Sequence, residues 1–358
     1  MNKEMLELYS DYLISSFSYT TATGLSKMLD TTISHDKITR FLSEREYTSK
    51  DLWQLVKPTI RKIESEDGII SVDDTIQEKQ YTDENDIIAW HYDHSKSRNL
   101  KGVNIVSCIY TNDIANIPVA FEIVKKDTFV IDEETGKQKR KSSITKNELM
   151  RAMLQTCVNN KLKFKYVTSD IWFSSKENMV FIKKTLEKDF IFAIKGNRLV
   201  ALSEEDKLQG KFQAIDFLDL QEGTTCEVFL KGLDFPVLLV KQVFKNKDGS
   251  SGTLYLVSSD LMLDYTQITT IYKKRWKVEE YHKSIKSNTC LAKSPTKTVK
   301  TQNNHFFMSI YSFFKLELLS IESKCNHFAL RTTLYVKALK SCFNELQKIK
   351  TEHQHAFA

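Results

Sequence analysis

"GIISVDDT", Gly68 to Thr75, is the stretch on which the reading of this chain turns. In an extended strand, successive side chains point to opposite faces. Ile70, Val72 and Asp74 then share one side, and Ile69, Ser71 and Asp73 the other. Both sides are apolar until the acids begin, which is the pattern of a central strand buried on both faces. Two adjacent carboxylates ending such a strand are costly unless something compensates them.

The flanking sequence extends the pattern. "DIIAWHYDH" (86–94), "KGVNIVSCIYT" (101–111) and "NIPVAFEIV" (116–124) read as further strands of one sheet. "KKDTFVIDEETGKQKRKSS" (125–143) is polar and charged and reads as an exposed loop. A helix (145–160), a buried strand ending in Asp170 (163–170), a serine-capped helix (174–188) and another strand (189–197) follow. That order predicts an α/β core. From Arg198 to Asp260 the text is β-like, with "TTCEVFLKGL", "FPVLLVKQVF" and "GTLYLVSSD" around a "KNKDGSSG" turn. It reads as an insertion between the core and a charged helix at 267–287.

The first 65 residues read as helices. "TGLSKMLDTTISHDKITRFLSE" (23–44) has the rhythm of helix, turn, helix, with Leu25, Leu29, Ile38, Phe41 and Leu42 as its core. Ser34 is a good N-cap and Asp36 complements the helix dipole. The second helix exposes His35, Lys37 and Arg40, and Lys37 and Arg40 could reach DNA. The expected segments are 1–65 helical, 66–197 core, 198–262 β-rich insertion, 263–320 core completion with the charged helix, and 321–358 C-terminal helical segment.

Composition narrows the classes. The chain has 358 residues, 41% of them apolar and 27% charged, enough to bury more than one core. No leader and no run of about 18 apolar residues is visible, so neither secretion nor a membrane span is expected. "HFFMSIYSFFKLELL" (305–319) is interrupted by Lys315 and Glu317 and reads as a buried helix. The six cysteines are scattered with no CxxC pair, which fits a cytoplasmic chain and argues against zinc. Net charge is +6, but Tyr272 onward carries 16 Lys and Arg against 6 Asp and Glu. A basic C-terminal third suggests a polyanionic partner.

"YKKRWKVEEYHKSIKS", Tyr272 to Ser287, packs nine Lys, Arg, Glu and His side chains into sixteen positions. On one continuous helix, Tyr272, Arg275, Glu279 and Lys286 fall at about 0°, 300°, 340° and 320°. Ile271, Val278, Tyr281 and Ile285 form a separate apolar stripe. Two strand-end aspartates and a helical glutamate could hold two Mg²⁺ ions, which favour oxygen ligands. Each aspartate taken singly reads first as a turn or helix cap, and the charged helix by itself as a solvated face with salt bridges between turns. His91 and His94 fit ordinary polar packing, while Lys195, Asn197 and Arg198 end a core strand within reach of phosphate.

These motifs together resemble the bacterial insertion-sequence transposases of the Asp-Asp-Glu class that carry a Tyr-Arg-Glu-Lys signature. The signature spacing stands as Tyr272, Arg275, Glu279 and Lys286. Trp276 and "EEYHK" (279–283) are similar to the cut-and-paste members, as are "SVDDT", "SDIWFSS" (169–175), "FIFAIKGNR" (190–198) and "HYDHSKSRNLKGVNIV" (91–106). Asp74, preferred over Asp73, Asp170 and Glu279 would be the catalytic metal ligands, spaced by 96 and 109 residues. The resemblance implies a ribonuclease H-like mixed sheet flanked by helices. It implies Mg²⁺ (or Mn²⁺) in two sites, cleavage of DNA at terminal inverted repeats, and strand transfer into target DNA by a homodimer at the nucleoid. Tyr272, Arg275, Trp276 and Lys286, with Lys195 and Arg198, would contact that DNA. The insertion lacks the tryptophan on which relatives stack a flipped base; the four tryptophans are Trp53, Trp90, Trp172 and Trp276. The alternative is a DNA-binding derivative that has lost catalysis.

Overall fold

A computed structural model describes residues 2–94, 96–133, 136–245 and 248–354. The chain divides into two compact units, Thr48–Glu280 and Met1–Tyr47 with Tyr281–Ala358. These units cut across the segments drawn from the sequence.

Among the described residues, the first unit is built on an eleven-stranded sheet. It begins with helix α4 (Ser49–Ile63), then β1 (Ile69–Glu78), β2 (Ala89–Asp93), β3 (Arg98–Thr111) and β4 (Asn116–Ile123). A hairpin of β5 (Thr128–Ile131) and β6 (Gln138–Lys141) precedes α5 (Lys146–Asn159), β7 (Tyr166–Ser169), α6 (Lys176–Val180) and β8 (Asp189–Ile194). β1 lies between β3, antiparallel, and β7, parallel; β8 is parallel to β7. β3 is long enough to pair along its other edge with both β2 and β4. Gly102 sits where β3 serves β1 and β2 together, and a Cβ there would lie 2.2 Å from the Gln77 carbonyl oxygen. This mixed sheet flanked by helices is the α/β, ribonuclease H-like architecture expected.

One expectation changes. The 125–143 segment is not simply a loop. Its described residues form the β5–β6 hairpin, with the Arg140 guanidinium 4.6 Å over the Phe129 ring. The short run "TFVI" hides its alternation among charges, and a cross-strand pair stabilises it. The β-rich insertion joins the sheet. Its strands β9 (Leu199–Ala201), β10 (Gln213–Ala214), β11 (Cys226–Leu230), β12 (Val237–Lys245) and β13 (Ser251–Ser258) continue the core sheet. β13 pairs antiparallel with β8, Tyr255 opposite Ile194 through Ser258 opposite Ile191. A short helix α7 (Glu204–Leu208) lies within the insertion.

Helix α8 (Tyr265–Lys273) covers one face of this sheet. Asp264 and Gln267 cap its start reciprocally. Its Ile268 is buried with Ile69, Tyr166, Ile191, Val240 and Leu256, and Ile271 and Tyr272 pack against that cluster. Ile69 therefore marks the face of β1 that looks toward α8.

The second unit is helical: α1 (Lys3–Ser15), α2 (Ala22–Met28), α3 (His35–Glu44), most of α9 (Trp276–Asn288), α10 (Val299–Ser323) and α11 (His327–Gln354). The hairpin core is as expected: Leu25, Ile38, Phe41 and Leu42 are buried, with Leu29 half-buried. Ser34 caps α3 by accepting from the Lys37 amide. "HFFMSIYSFFKLELL" is the buried heart of α10. The Asn304 amide group donates to the Leu42 carbonyl at 2.8 Å and accepts from the Tyr47 amide at 2.8 Å, and Lys315 meets Glu7 at 2.8 Å. Glu317 is satisfied by His327, 2.9 Å away. Among the described residues no helix is long and apolar enough to cross a membrane.

α11 is different. Only its first turns dock, through buried His327 and through Arg331, whose guanidinium donates to the Ile14 and Ser16 carbonyls. Beyond Arg331 every residue with a described side chain is exposed.

Candidate active site

The end of β1 is where the sheet concentrates charge. Strand alternation sends its two aspartates to opposite faces. Asp73 follows Ile69 and Ser71 toward α8, and Asp74 faces α5. Asp74 is held there by Lys146 Nζ at 2.8 Å and by the Asn104 side-chain amide at 2.8 Å. Asp73 is 8% exposed, and one of its oxygens lies within 4.8 Å of a Glu279 oxygen. The strand carboxylate brought beside Glu279 is thus that of Asp73, whereas the sequence reading preferred its neighbour. Asp170 lies just past the end of β7, in the register position after Val72 opposite Ser169. Its side chain accepts from the Trp172 amide at 3.0 Å, so it also fastens its own turn.

Arg275 ties the acids together. One terminal nitrogen is 3.6 Å from Asp73 Oδ2 and 3.3 Å from Glu279 Oε1. Burial disfavours its charge, yet Tyr272, Asp73 and Glu279 outweigh this and raise its pKa. Its Nε is buried with no hydrogen-bond partner among the described residues. The Tyr272 ring lies 5.6 Å from the guanidinium carbon, and burial, reinforced by Asp170 and Asp73, pushes its phenol up to about 12.

The electrostatics are those of an acid-rich recess. Burial raises the Asp73 pKa well above the carboxylate range, and Asp170, Glu279 and Asp74 raise it further. Burial likewise raises Asp170, with Asp74 adding and the Phe173 and Trp172 amides and Arg275 opposing. Four carboxylates face two cations, Arg275 and Lys146, in this cluster. A divalent cation would balance the remainder. Within this unit the closest donor pair is the carboxylates of Asp73 and Glu279, oxygen ligands of the kind Mg²⁺ and Mn²⁺ favour.

The local backbone departs from expectation in one place. The charged segment is two helices, not one. The chain breaks at Lys274 and Arg275, where amides bond three residues back, Arg275 to Tyr272 at 2.9 Å and Val278 to Arg275 at 2.9 Å. Tyr272 therefore belongs to α8 and Glu279 to α9. The break turns Arg275 in between the acids. No Gly or Pro announces it. Val278, Tyr281 and Ile285 are buried as the apolar stripe requires, and Ile271 is half-buried.

The remaining expected residues separate. Trp276 is 62% exposed. Lys195 is exposed at the end of β8, and Arg198 donates to the Ser174 carbonyl at 3.2 Å, bracing the loop that follows Asp170. Asn197, between them, is exposed. Lys286 lies in the helical unit, lining a cavity of about 310 Å³ with Phe17, Lys293 and Arg331. Lys37 and Arg40 are exposed on α3 of that unit. His91 is buried and kept neutral: burial, with Lys126 and Lys146, lowers its pKa to about 3. His94 is exposed. The reading of the sequence missed Lys146 and Asn178. Fully buried Asn178 donates to the Phe173 carbonyl at 2.9 Å and accepts from Arg151 at 2.7 Å, fixing the Asp170 loop.

Two family models match. One, described as DDE superfamily endonuclease, covers residues 2–210; the other, described as Transposase DDE domain, covers residues 129–312. No curated protein matches the chain. Among solved structures, the endonuclease V of Bacillus subtilis aligns at 10% identity over 63% of this chain and 81% of that one, with a TM-score of 0.26.

Proposed function

This chain belongs to the DDE family of transposases and endonucleases, and from that premise we propose that it is an insertion-sequence transposase, cleaving the ends of a DNA element and joining them to target DNA. The observation that carries this reading is Arg275 holding Asp73 and Glu279 through one terminal nitrogen, with Asp170 at the adjoining strand end beside Asp73. Asp73, Asp170 and Glu279 would hold the metal, with Asp74 close enough to be felt by Asp170. When bound, a pair of Mg²⁺ or Mn²⁺ ions supplies charge stabilisation to the attacking and leaving oxygens of a phosphoryl transfer.

The chain's own groups do the positioning. Arg275 keeps the Asp73 and Glu279 carboxylates oriented and brings a positive charge to the site that favours a phosphate. Tyr272, its phenol held protonated, can donate alongside. Lys146 fixes Asp74. Trp276, Lys195 and Lys286, with Lys37 and Arg40 on the helical unit, are exposed or half-exposed for DNA along the terminal repeats, and Arg198 braces the loop behind Asp170. Cut-and-paste chemistry, acting on the DNA of the nucleoid, fits this set.

The same reading makes the working form a homodimer, one copy per element end, and α11 supports it. A helix of 28 residues is about 42 Å long. Past its docked start it exposes Leu339 (47%), Phe343 (61%), Leu346 (48%) and Ile349 (45%) on one side. Leu339, Cys342, Leu346 and Ile349 alternate at spacings of three and four, the seam of a coiled coil. Glu345 and Lys350 flank that seam at the positions that attract across a parallel pair. A second copy of this chain satisfies both the apolar seam and the charges.

The test of the catalytic reading is Glu279→Gln. With Mg²⁺ and a duplex carrying the element's own end, cleavage should fall more than about 100-fold, beyond what outer-shell changes around a metal reach, while end binding persists. Undiminished cleavage removes Glu279 from the site. A wild-type chain that binds the end and never cuts it is instead a DNA-binding derivative.

A further inference from the structure

Strand β2 carries an alternation that the catalytic reading leaves unused. Ala89 and His91 are buried, while Trp90, Tyr92 and His94 are exposed. Trp90 is 51% and Tyr92 52% exposed, large rings that a fold ordinarily buries. Residues two apart on a strand recur about every 6.6 Å on the same face. The row continues past the strand. The His94 ring lies 4.8 Å from Tyr92 and 5.3 Å from Trp172, which is itself 48% exposed. Trp172 reaches the acids directly: its amide donates to Asp170, and Lys146, 2.8 Å from Asp74, sits 4.5 Å over its ring. In the other direction, Trp90 and Tyr92 line a groove of about 1330 Å³ with Lys126, Phe129 and Arg140. That exceeds the roughly 300–1,000 Å³ of small-molecule pockets. Lys101 and Asn99 stand opposite Trp90 and Tyr92 in register, on the same face.

We propose that this row, from the β5–β6 hairpin along β2 to Trp172, is a track for an unpaired DNA strand leading to the carboxylates. The inference rests on the nuclease reading above and adds a substrate form to it. Bases in a duplex already stack on one another; only an unpaired strand offers base faces to protein rings. A row of exposed rings, with His94 edge-on to Tyr92 and tilted against Trp172 beside the reacting centre, offers such a strand outward-facing surfaces to stack on. The groove's charge is largely balanced, since Arg140 pairs with Asp86 at 2.9 Å and Lys139 with Asp132. Stacking therefore carries the contact more than phosphate attraction does. Binding of the unpaired strand should depend on salt less steeply than binding of duplex.

The experiment is metal-free fluorescence anisotropy with a labelled oligothymidylate and with a matched duplex, on the full chain. Trp90→Ala, Tyr92→Ala and Trp172→Ala should each weaken single-strand binding by about 5- to 100-fold. Trp90→Phe and Trp172→Phe should restore most of it, and duplex affinity should hold within about two-fold. Equal losses on single strand and duplex, or no loss on either, overturn the track. So does a wild-type chain that ignores the single strand. Mg²⁺-dependent cutting of the duplex end, run in parallel on the wild type, separates the two readings. Cutting with unchanged single-strand affinity in the ring variants sinks the track alone; absence of both duplex binding and cutting sinks the transposase reading beneath it.

Discussion

The acid recess at the end of β1 and the free length of α11 break opposite rules. The recess buries charge: Asp73 and Asp170 are held in surroundings that favour their neutral forms. α11 exposes hydrocarbon: Leu339, Phe343, Leu346 and Ile349 face outward. Each arrangement is unfavourable for an isolated chain, and each becomes favourable with a partner of the opposite kind. On the proposed reading, cations and phosphate complete the recess and a second helix completes α11. The lesson is that a local violation of partition names the chemistry of what is missing, and its sign tells which.

The sharpest way to break this comparison is at β1. Asp73→Asn should lower end cleavage more than about 100-fold. Asp74→Asn should cost less, because Asp74 already has Lys146 and Asn104 as partners. Cleavage assays on both variants decide it, and the reverse ranking returns the ligand role to Asp74. At the other region, Leu339→Lys with Leu346→Lys removes four apolar side chains from a two-copy seam. Each is worth about 1.5–3 kcal/mol when buried, so the dimer should weaken at least about 100-fold. Mass measurement in solution reads the state directly. Oxidation of Cys342 in a Cys325→Ser background should crosslink the wild-type pair, since parallel copies place that position against itself. A wild-type monomer at tens of micromolar leaves the exposed stripe without its proposed partner.

The smallest effect separates the two regions by pH. The folded pKa of Asp73 lies above its unfolded value, so stability from this group is present in acid and lost as pH rises through the raised value. Without metal the recess should therefore destabilise the fold more near pH 8 than near pH 5. Saturating Mg²⁺ relieves that repulsion, by about 2.7 kcal/mol at a hundred-fold excess over its Kd. Melting curves should show the larger Mg²⁺ shift at pH 8. The Leu339 and Leu346 variant should keep the same pH pattern when compared as a monomer. An equal shift at both pH values would mean that the recess does not hold the ion.

Much of this was legible in the chain because periodicity reports burial. The strands from Ile69 to Thr111, the buried α10 and the Ser34 cap all follow from local pattern. What stayed hidden depends on long-range pairing. Alternation placed Asp73 and Asp74 on opposite faces, but which face α8 would cover is decided by Ile69 meeting Ile268. The break at Arg275 has no sequence marker, and the hairpin at 128–141 rests on a cross-strand Arg140–Phe129 contact. The exposed alternation of Trp90, Tyr92 and His94 was present in the text. It looked like any strand, because period two does not say which face meets water.

The join between β13 and β8 bears on how this protein can change. An insertion that merely hung from a loop could be trimmed. Here its last strand hydrogen-bonds along β8 from Ile191 to Ile194. Cutting out residues 198–262 would turn β8, an apolar strand two places from β1, into a bare edge with a row of unanswered amides and carbonyls. Such an edge invites pairing with other chains. A chain shortened in this way should therefore fail by clumping, because the insertion also serves as the cover of the core's open edge.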